Sequence, residues 1–177
     1  MLNNKELLKK LGFSAKENES DIFYKKYPSF GGYIIEADFQ KNKFDFGSKI
    51  KSNSGTTQNF SQEENWVVLE CVNRLLEKGY KPEDITLEKI YPTGHGTSGR
   101  LDILIKKDKK AYLMIECKTW GIEYQKSLKK MQKDGGQLFT YFQQDRDTQY
   151  LMLYASEFNK GDINFESEIV KIEEHYR

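Results

Sequence analysis

The chain has 177 residues, 37% hydrophobic and 14% aromatic, which is enough apolar material for one core and argues against wholesale disorder. Its 28 basic and 27 acidic side chains leave a net charge of +1, which excludes the strong positive field of a free-standing nucleic-acid binder. Two cysteines and two histidines without close pairing exclude an ordinary structural zinc site, and we expect Cys71 and Cys117 to be reduced core thiols. Without a signal peptide or a run of about 18 apolar residues, we expect a cytoplasmic protein with no membrane partner.

Residues 1–57 are predicted to form an N-terminal appendage, made of a short helix and a β-hairpin. Leu7, Leu8 and Leu11 lie on one side of a helix at residues 1–12. The stretch YIIEADFQKNKFDFG is typical of a hairpin around Lys41–Asn42–Lys43. The polar, turn-rich residues 52–59 are the expected linker, so we place a domain boundary between residues 57 and 58.

Residues 58–177 predict an α/β core with a mixed central sheet flanked by helices. Ser61 begins a helix with an S-x-x-E capping box, apolar residues recur on one of its faces, and Gly79 ends it. Three β-rich runs follow, with a glycine-rich loop between the first and the second. After them come a lysine-rich helix, a short second helix and an apolar strand. The expected order is helix, strand, strand, strand, helix, strand. In numbers, the runs are 61–78, 85–91, 100–106, 111–119, 122–133 and 149–156, with the loop at 92–99.

The hairpin from Arg100 to Thr119 carries the residues that predict chemistry. With its turn centred on Lys109, Asp102 faces Glu116, and Lys118 lies two residues further along the same face. Facing carboxylates repel each other unless a cation lies between them, so the pattern predicts a hard divalent cation and phosphodiester hydrolysis. The alternative is an exposed ion-pair cluster on a solvated sheet face. The opposite face would be apolar throughout: Leu101, Ile103, Ile105, Leu113, Ile115 and Cys117.

Three further side chains are candidates for the same site. Glu64 precedes Val68 by four residues on the apolar stripe of the first helix, so we expect it to reach the sheet, whereas Glu70 points the opposite way. The alternative for Glu64 is the capping box alone. Gln137 and Tyr141 share a face near a helix start, where backbone N–H groups favour phosphate. The alternative for Tyr141 is a place in the core.

Basic residues offer contacts for a DNA backbone, with a solvated surface as the alternative. Arg100 could contact phosphate or form a structural salt bridge with its neighbours on the Asp102 face. His95 is expected to be a loop residue, because a second ligand for zinc is missing nearby and its loop lacks a P-loop ending. The lysines form two groups, one on a helical face and one at the hairpin turn: Lys126, Lys130 and Lys133, and Lys106, Lys107, Lys109 and Lys110.

On these residues the chain resembles the PD-(D/E)XK nuclease superfamily. The matching elements are a helical carboxylate, an Asp after a loop, E-x-K in IECKTWG and Q-x-x-x-Y. Over residues 58–157 the chain is similar to the N-terminal nuclease domain of type I or related single-chain restriction–modification proteins. Leu101 stands where the superfamily pattern has a nominal proline. The matched residues are Glu64, Asp102, Glu116, Lys118, Gln137 and Tyr141.

This resemblance implies a restriction-endonuclease-like core and a nuclease that cuts double-stranded DNA with Mg²⁺, for which Mn²⁺ would substitute. It implies that Glu64, Asp102, Glu116 and the backbone carbonyl of Cys117 bind the metal. It also implies methyltransferase, target-recognition and translocase modules, fused or as subunits, and a transient dimer on DNA. Two alternatives stay open, namely a repair or recombination nuclease of the RecB-like kind and a non-catalytic DNA-binding module with the same fold.

Overall fold

Two β-sheets pack around a long central helix in the computed structural model, which describes residues 2–94 and 97–176. One sheet is antiparallel with four strands in the order β1-β2-β3-β4, and the other has six strands in the order β10-β9-β8-β7-β6-β5. The elements before the central helix are α1 (Leu2–Lys10), β1 (Ser14–Lys16), β2 (Glu19–Tyr27), β3 (Tyr33–Asp38), β4 (Lys43–Asp45) and β5 (Lys51–Ser52). The rest are α2 (Glu63–Glu77), β6 (Ile85–Gly94), β7 (Thr97–Lys107), β8 (Lys110–Thr119), α3 (Ile122–Asp134), α4 (Gly136–Phe142), β9 (Tyr150–Asn159) and β10 (Asp162–Lys171).

The expected α/β class with a mixed sheet and flanking helices is confirmed. In the six-stranded sheet, β8 pairs with β9 and β5 with β6 in parallel, and the other neighbours are antiparallel. The predicted hairpin in the N-terminal region is also present, as β3 and β4 joined through Asn42, whose φ is +50°. Strands β1, β2, β5 and β10 were not predicted.

Helix α2 begins two residues later than expected, and the predicted capping box does not form. Its N-cap is Gln62, which makes no side-chain capping hydrogen bond. The Ser61 hydroxyl instead donates a hydrogen bond to the side-chain oxygen of Asn59. The end of the helix is as predicted. Gly79, with φ of +94°, donates its N–H to the carbonyl of Leu76 and closes the last turn in a left-handed conformation that glycine adopts without strain.

The β7–β8 register agrees with the prediction in the middle of the hairpin. Ile103 pairs with Ile115 and Ile105 with Leu113, but a bulge at Tyr112 shifts the pairing by one residue near the turn. The turn itself is Asp108-Lys109, both with positive φ, as a two-residue connection between strands favours. The predicted register therefore holds up to the Ile103–Ile115 pair, which directly adjoins the two carboxylates.

Two apolar clusters cover the two faces of the six-stranded sheet. The first joins α2, the four-stranded sheet and the β7–β8 side chains Ile103, Ile105 and Ile115, so it continues across residue 57. The second joins α3, α4 and the other face of the sheet. Leu101 belongs to this second cluster, so its predicted place beside Ile103 is wrong. The reason is that the pairing of β6 with β7 is interrupted at Glu88, whose φ is +56°, and strict alternation ends there.

The predicted glycine-rich loop is shorter than expected, because β6 continues to Gly94 and β7 starts at Thr97. His95 lies outside the described residues. The predicted linker is held against β6 by the turn Thr56–Gln58, with Thr57 buried. Among the helices described, none is long and apolar enough to cross a membrane.

Candidate functional site

Asp102 on β7 and Glu116 on β8 are brought together in the interior of the six-stranded sheet. Their exposed fractions are 8% and 4%, which excludes the alternative of a solvated ion-pair cluster for these two groups. The ladder between the strands extends to the Ile103–Ile115 pair. Beyond it, Oδ2 of Asp102 accepts the backbone N–H of Cys117 at 2.7 Å. The Asp102 side chain is thus fixed directly against the strand that carries Glu116.

The two carboxyl groups are electrostatically unfavourable where they lie. Burial raises the pKa of Asp102 well above its usual value, and the negative charge of Glu116 raises it further. Burial also raises the pKa of Glu116, although the nearby charge of Lys118 opposes the rise. Within the described residues, Oε2 of Glu116 is buried without a hydrogen-bond partner. A buried anionic oxygen without a partner is costly, and a bound cation would remove that cost.

Lys118 links the carboxylates of two different elements. Its Nζ donates to Oε1 of Glu116 at 2.9 Å and lies 3.5 Å from Oε2 of Glu64 on the first turn of α2. Burial opposes the charged form of Lys118, but the charge of Glu116 and the hydrogen bond to it raise the pKa of the ammonium above its usual range. Lys118 is therefore a fixed cation at the site, and Glu64 reaches the sheet as predicted.

Helix α4 places Gln137 and Tyr141 beside the carboxylates. The Gln137 side-chain amide donates to the Tyr141 hydroxyl, and the buried Tyr141 ring stacks on Tyr91 with centroids 5.2 Å apart. Burial raises the pKa of the Tyr141 phenol, with contributions from the charges of Glu116 and Asp102. Tyr141 thus lies in the core and also faces the site, so its two interpretations are compatible. A cleft of about 600 Å³ opens here, lined among others by Glu116, Lys118, Lys130, Lys133 and Gln137.

The residues present fit a hard cation in part. Asp102 and Glu116 supply oxygen donors, the type of ligand that Mg²⁺ prefers, and the unpartnered oxygen of Glu116 is available. Over residues 2–94 and 97–176, however, no group of three or more His, Cys, Asp or Glu side chains is arranged to hold a metal. Glu64 is seen in contact with Lys118. Metal binding by Glu64 and by the Cys117 carbonyl stays a prediction.

The lysine groups differ in their surroundings. Lys130 and Lys133 line the cleft beside Glu116, whereas Lys126 is paired with Glu123 on the surface. At the hairpin turn, Lys107, Lys109 and Lys110 are exposed, and Lys110 pairs with Asp147. The first group is therefore the one that adjoins the candidate site.

Two acidic residues are buried although the sequence did not predict their burial. Glu70 was expected to point away from the core, but its side chain is buried and bonded to Arg74 and to the Tyr154 hydroxyl of β9. That prediction is wrong because α2 lies between two sheets and has no solvent-facing side at this level. Glu88, which the sequence reading passed over, is fully buried next to Arg100. The sequence of β6 gave no clear signal for this burial, because Thr86 and Lys89 make the strand polar on both sides of Glu88.

No protein-family model matches the chain, and no curated protein matches its sequence. The resemblance to nucleases therefore rests on the residues described above and on their arrangement.

Proposed function

We propose that this chain is a Mg²⁺-dependent DNA endonuclease of the PD-(D/E)XK type, acting as the nuclease domain of a restriction–modification system. The observation that carries the proposal is the buried pair of Asp102 and Glu116, in which Glu116 has one unpartnered carboxylate oxygen and accepts the Lys118 ammonium with the other. A fold keeps such a pair at a cost in stability, and binding of a cation offsets that cost. Sites of this kind are typical of metal-assisted phosphodiester hydrolysis.

Each side chain of the site has a different role in the proposed hydrolysis. Asp102 and Glu116 would hold the metal, which when bound supplies Lewis-acid activation of water and of the phosphate. Lys118 is held by Glu116 and stays protonated, so it donates to a phosphate oxygen as negative charge develops there. Glu64 keeps the ammonium group in place from the side of α2. Gln137 lines the cleft and presents its amide to the substrate backbone.

The substrate proposed is double-stranded DNA. With a net charge of +1, the chain depends on local positive charge, and Lys130 and Lys133 beside the cleft supply it. Affinity beyond this would come from target-recognition, methyltransferase and translocase modules, fused or as separate subunits. Cutting both strands requires two such sites, so we include a transient dimer on DNA in the proposal.

Cleavage of supercoiled plasmid DNA with Mg²⁺ tests the proposal on the wild-type chain and on Asp102→Asn and Lys118→Met variants. We expect nicking or linearisation by the wild type, and loss of activity on the order of 10³-fold in each variant, because several kcal/mol of transition-state stabilisation disappear. Lys16→Met, on the four-stranded sheet, is the matched control, since Lys16 pairs only with surface acids among its described contacts. Circular dichroism verifies that each variant is folded.

Three results would redirect the proposal. A folded Lys118→Met variant with wild-type cutting would refute the mechanism. Preferential cutting of DNA ends or branched DNA would favour the repair or recombination alternative. DNA binding by a folded wild type that cuts nothing, alone or with its partner modules, would favour the non-catalytic module.

A further inference from the structure

Glu88 forms a second buried acidic centre next to the site, and the nuclease chemistry proposed above does not use it. It is fully buried in β6 with φ of +56°, a left-handed conformation that is strained for a non-glycine residue. Its carboxylate accepts the Ser52 hydroxyl at 2.8 Å and the N–H groups of Thr56 and Thr57 at 3.0 and 3.1 Å. Burial opposes ionisation, but these hydrogen bonds prevail and lower the pKa of Glu88 to about 2. Glu88 is therefore an anion at every physiological pH.

Arg100 connects this anion to the candidate site. Its Nε lies 3.7 Å from Oε1 of Glu88, and one terminal nitrogen lies 3.5 Å from the Ser54 hydroxyl. Arg100 precedes Asp102 by two residues on β7, and its charge lowers the pKa of Glu116. The guanidinium is thus held at the edge of the Asp102–Glu116 pair by a residue from the neighbouring strand.

A purely structural salt bridge accounts poorly for these contacts. Glu88 already accepts hydrogen bonds from Ser52, Thr56 and Thr57, so its burial does not depend on Arg100. Among the described residues, the side-chain contacts of Arg100 with Glu88 and Ser54 are both longer than the charge-assisted hydrogen bonds of about 2.7–2.9 Å that guanidinium groups make. The Arg100 side chain is also 45% exposed, so a ligand can reach it. A guanidinium oriented by a fixed anion and open to solvent is suited to bind phosphate in a bidentate manner.

We propose that Arg100 binds a backbone phosphate of the DNA next to the one that is cut, and that Glu88 is the positioning residue that orients it. The inference rests on the proposed function for its substrate, but it concerns binding and not the chemical step. The proposal also accounts for the strained backbone of Glu88, because the left-handed conformation places the Glu88 carboxylate next to Arg100.

Binding of a fluorescent DNA duplex, measured by anisotropy over a series of salt concentrations and without divalent cations, tests the contact. In Arg100→Ala we expect Kd to rise about tenfold and the slope of log Kd against log salt to fall by about 1, because one phosphate contact is lost. Arg100→Lys keeps the charge, so the slope stays while Kd rises severalfold. Lys171→Ala removes an exposed cation from β10, the opposite edge of the sheet, and should change neither quantity.

A double-mutant cycle tests the positioning by Glu88. Glu88→Gln should raise Kd severalfold in the wild-type background and have no further effect in Arg100→Ala. A merely structural Glu88 would weaken binding equally in both backgrounds, which would overturn its assignment. If Glu88→Gln does not fold, Glu88→Asp replaces it, since it keeps the charge but withdraws the carboxylate by one methylene.

The outcomes separate this inference from the proposed nuclease. Wild-type affinity and salt slope in a folded Arg100→Ala variant would overturn the phosphate contact even if the wild type cuts DNA. A failure of the wild type to bind DNA would also overturn it. Arg100-dependent binding by a chain that never cuts would uphold the contact while refuting the nuclease.

Discussion

The Asp102→Asn substitution should stabilise the protein without metal while it abolishes cutting. The change removes one of two buried charges that repel each other, and Oδ1 of the asparagine can still accept the Cys117 N–H that Asp102 now accepts at 2.7 Å. The Glu116–Lys118 pair is untouched. Relief of a poorly compensated buried charge is worth about 1–3 kcal/mol. In a domain of this size each kcal/mol shifts Tm by about 2–4 °C, so a gain of about 2 kcal/mol raises Tm by about 4–8 °C.

The pH dependence of this gain has a definite sign. Asp102 and Glu116 have folded-state pKa values above those of the unfolded chain, so the folded state binds their protons more tightly. Their protonation therefore supports folding at low pH, and stability falls as pH rises from about 4, the unfolded value, through the raised folded values. The Asp102→Asn substitution removes the part of this loss of stability that comes from Asp102. The gain over wild type should be small near pH 4 and largest at alkaline pH.

Urea unfolding in EDTA, followed by circular dichroism from pH 4 to pH 9, measures the gain in the free energy of unfolding and its dependence on pH. Asp147→Asn is the matched control, because Asp147 is 53% exposed and makes only a surface pair with Lys110 among its described contacts. It should change stability by less than about 0.5 kcal/mol at any pH. A folded Asp102→Asn variant that is less stable than wild type above pH 7, or equally stable at every pH, would refute the electrostatic account of the pair.

Three further substitutions test the packing around the site, each by urea unfolding. Glu70→Ala should cost about 3 kcal/mol, because it leaves the partly buried Arg74 guanidinium without its carboxylate; an unchanged midpoint would contradict a structural role. Leu69→Ala should cost about 3 kcal/mol through the cavity it leaves in α2, whereas a loss below about 1 kcal/mol would mean that the helix is not clamped between the sheets. Gly135→Ala should cost more than 1 kcal/mol, since φ is +78° and the new Cβ would lie 2.5 Å from Cβ of Phe139. Its cleavage rate should fall too, because Gly135 lines the cleft, and retention of both stability and rate would contradict the structure there.

Local sequence patterns predicted the elements that carry the site. The 3.6-residue apolar period of α2, the glycine after it, and the β-rich runs on both sides of Asp108-Lys109 depend on neighbours within one element or one hairpin. The same local register brought Asp102, Glu116 and Lys118 together, and the apolar stripe of α2 correctly indicated that Glu64 reaches the sheet. Such features are decided by the geometry of the helix and of the strand.

Other features were decided by contacts between distant parts of the chain. The burial of Glu70 depends on a second sheet over α2, and the sequence of α2 alone carries no sign of that sheet. Leu101 changes face because the ladder is interrupted next to it, where Glu88 on β6 adopts a left-handed conformation. The edge strand β10 follows from pairing with β9, since its mixed polar sequence lacks a clear period.

By itself, the sequence determined which side chains could form a site, because spacing within a hairpin or a helix turn fixes which residues share a face. Only the tertiary structure decided how those side chains are charged and held. The burial of Asp102 and Glu116, the bridge from Lys118 to α2, and the Glu88–Arg100 pair all require elements that are far apart in sequence. Desolvation depends on everything packed around a group, so the electrostatics of this site could arise only when α2, α3 and α4 pack on the six-stranded sheet.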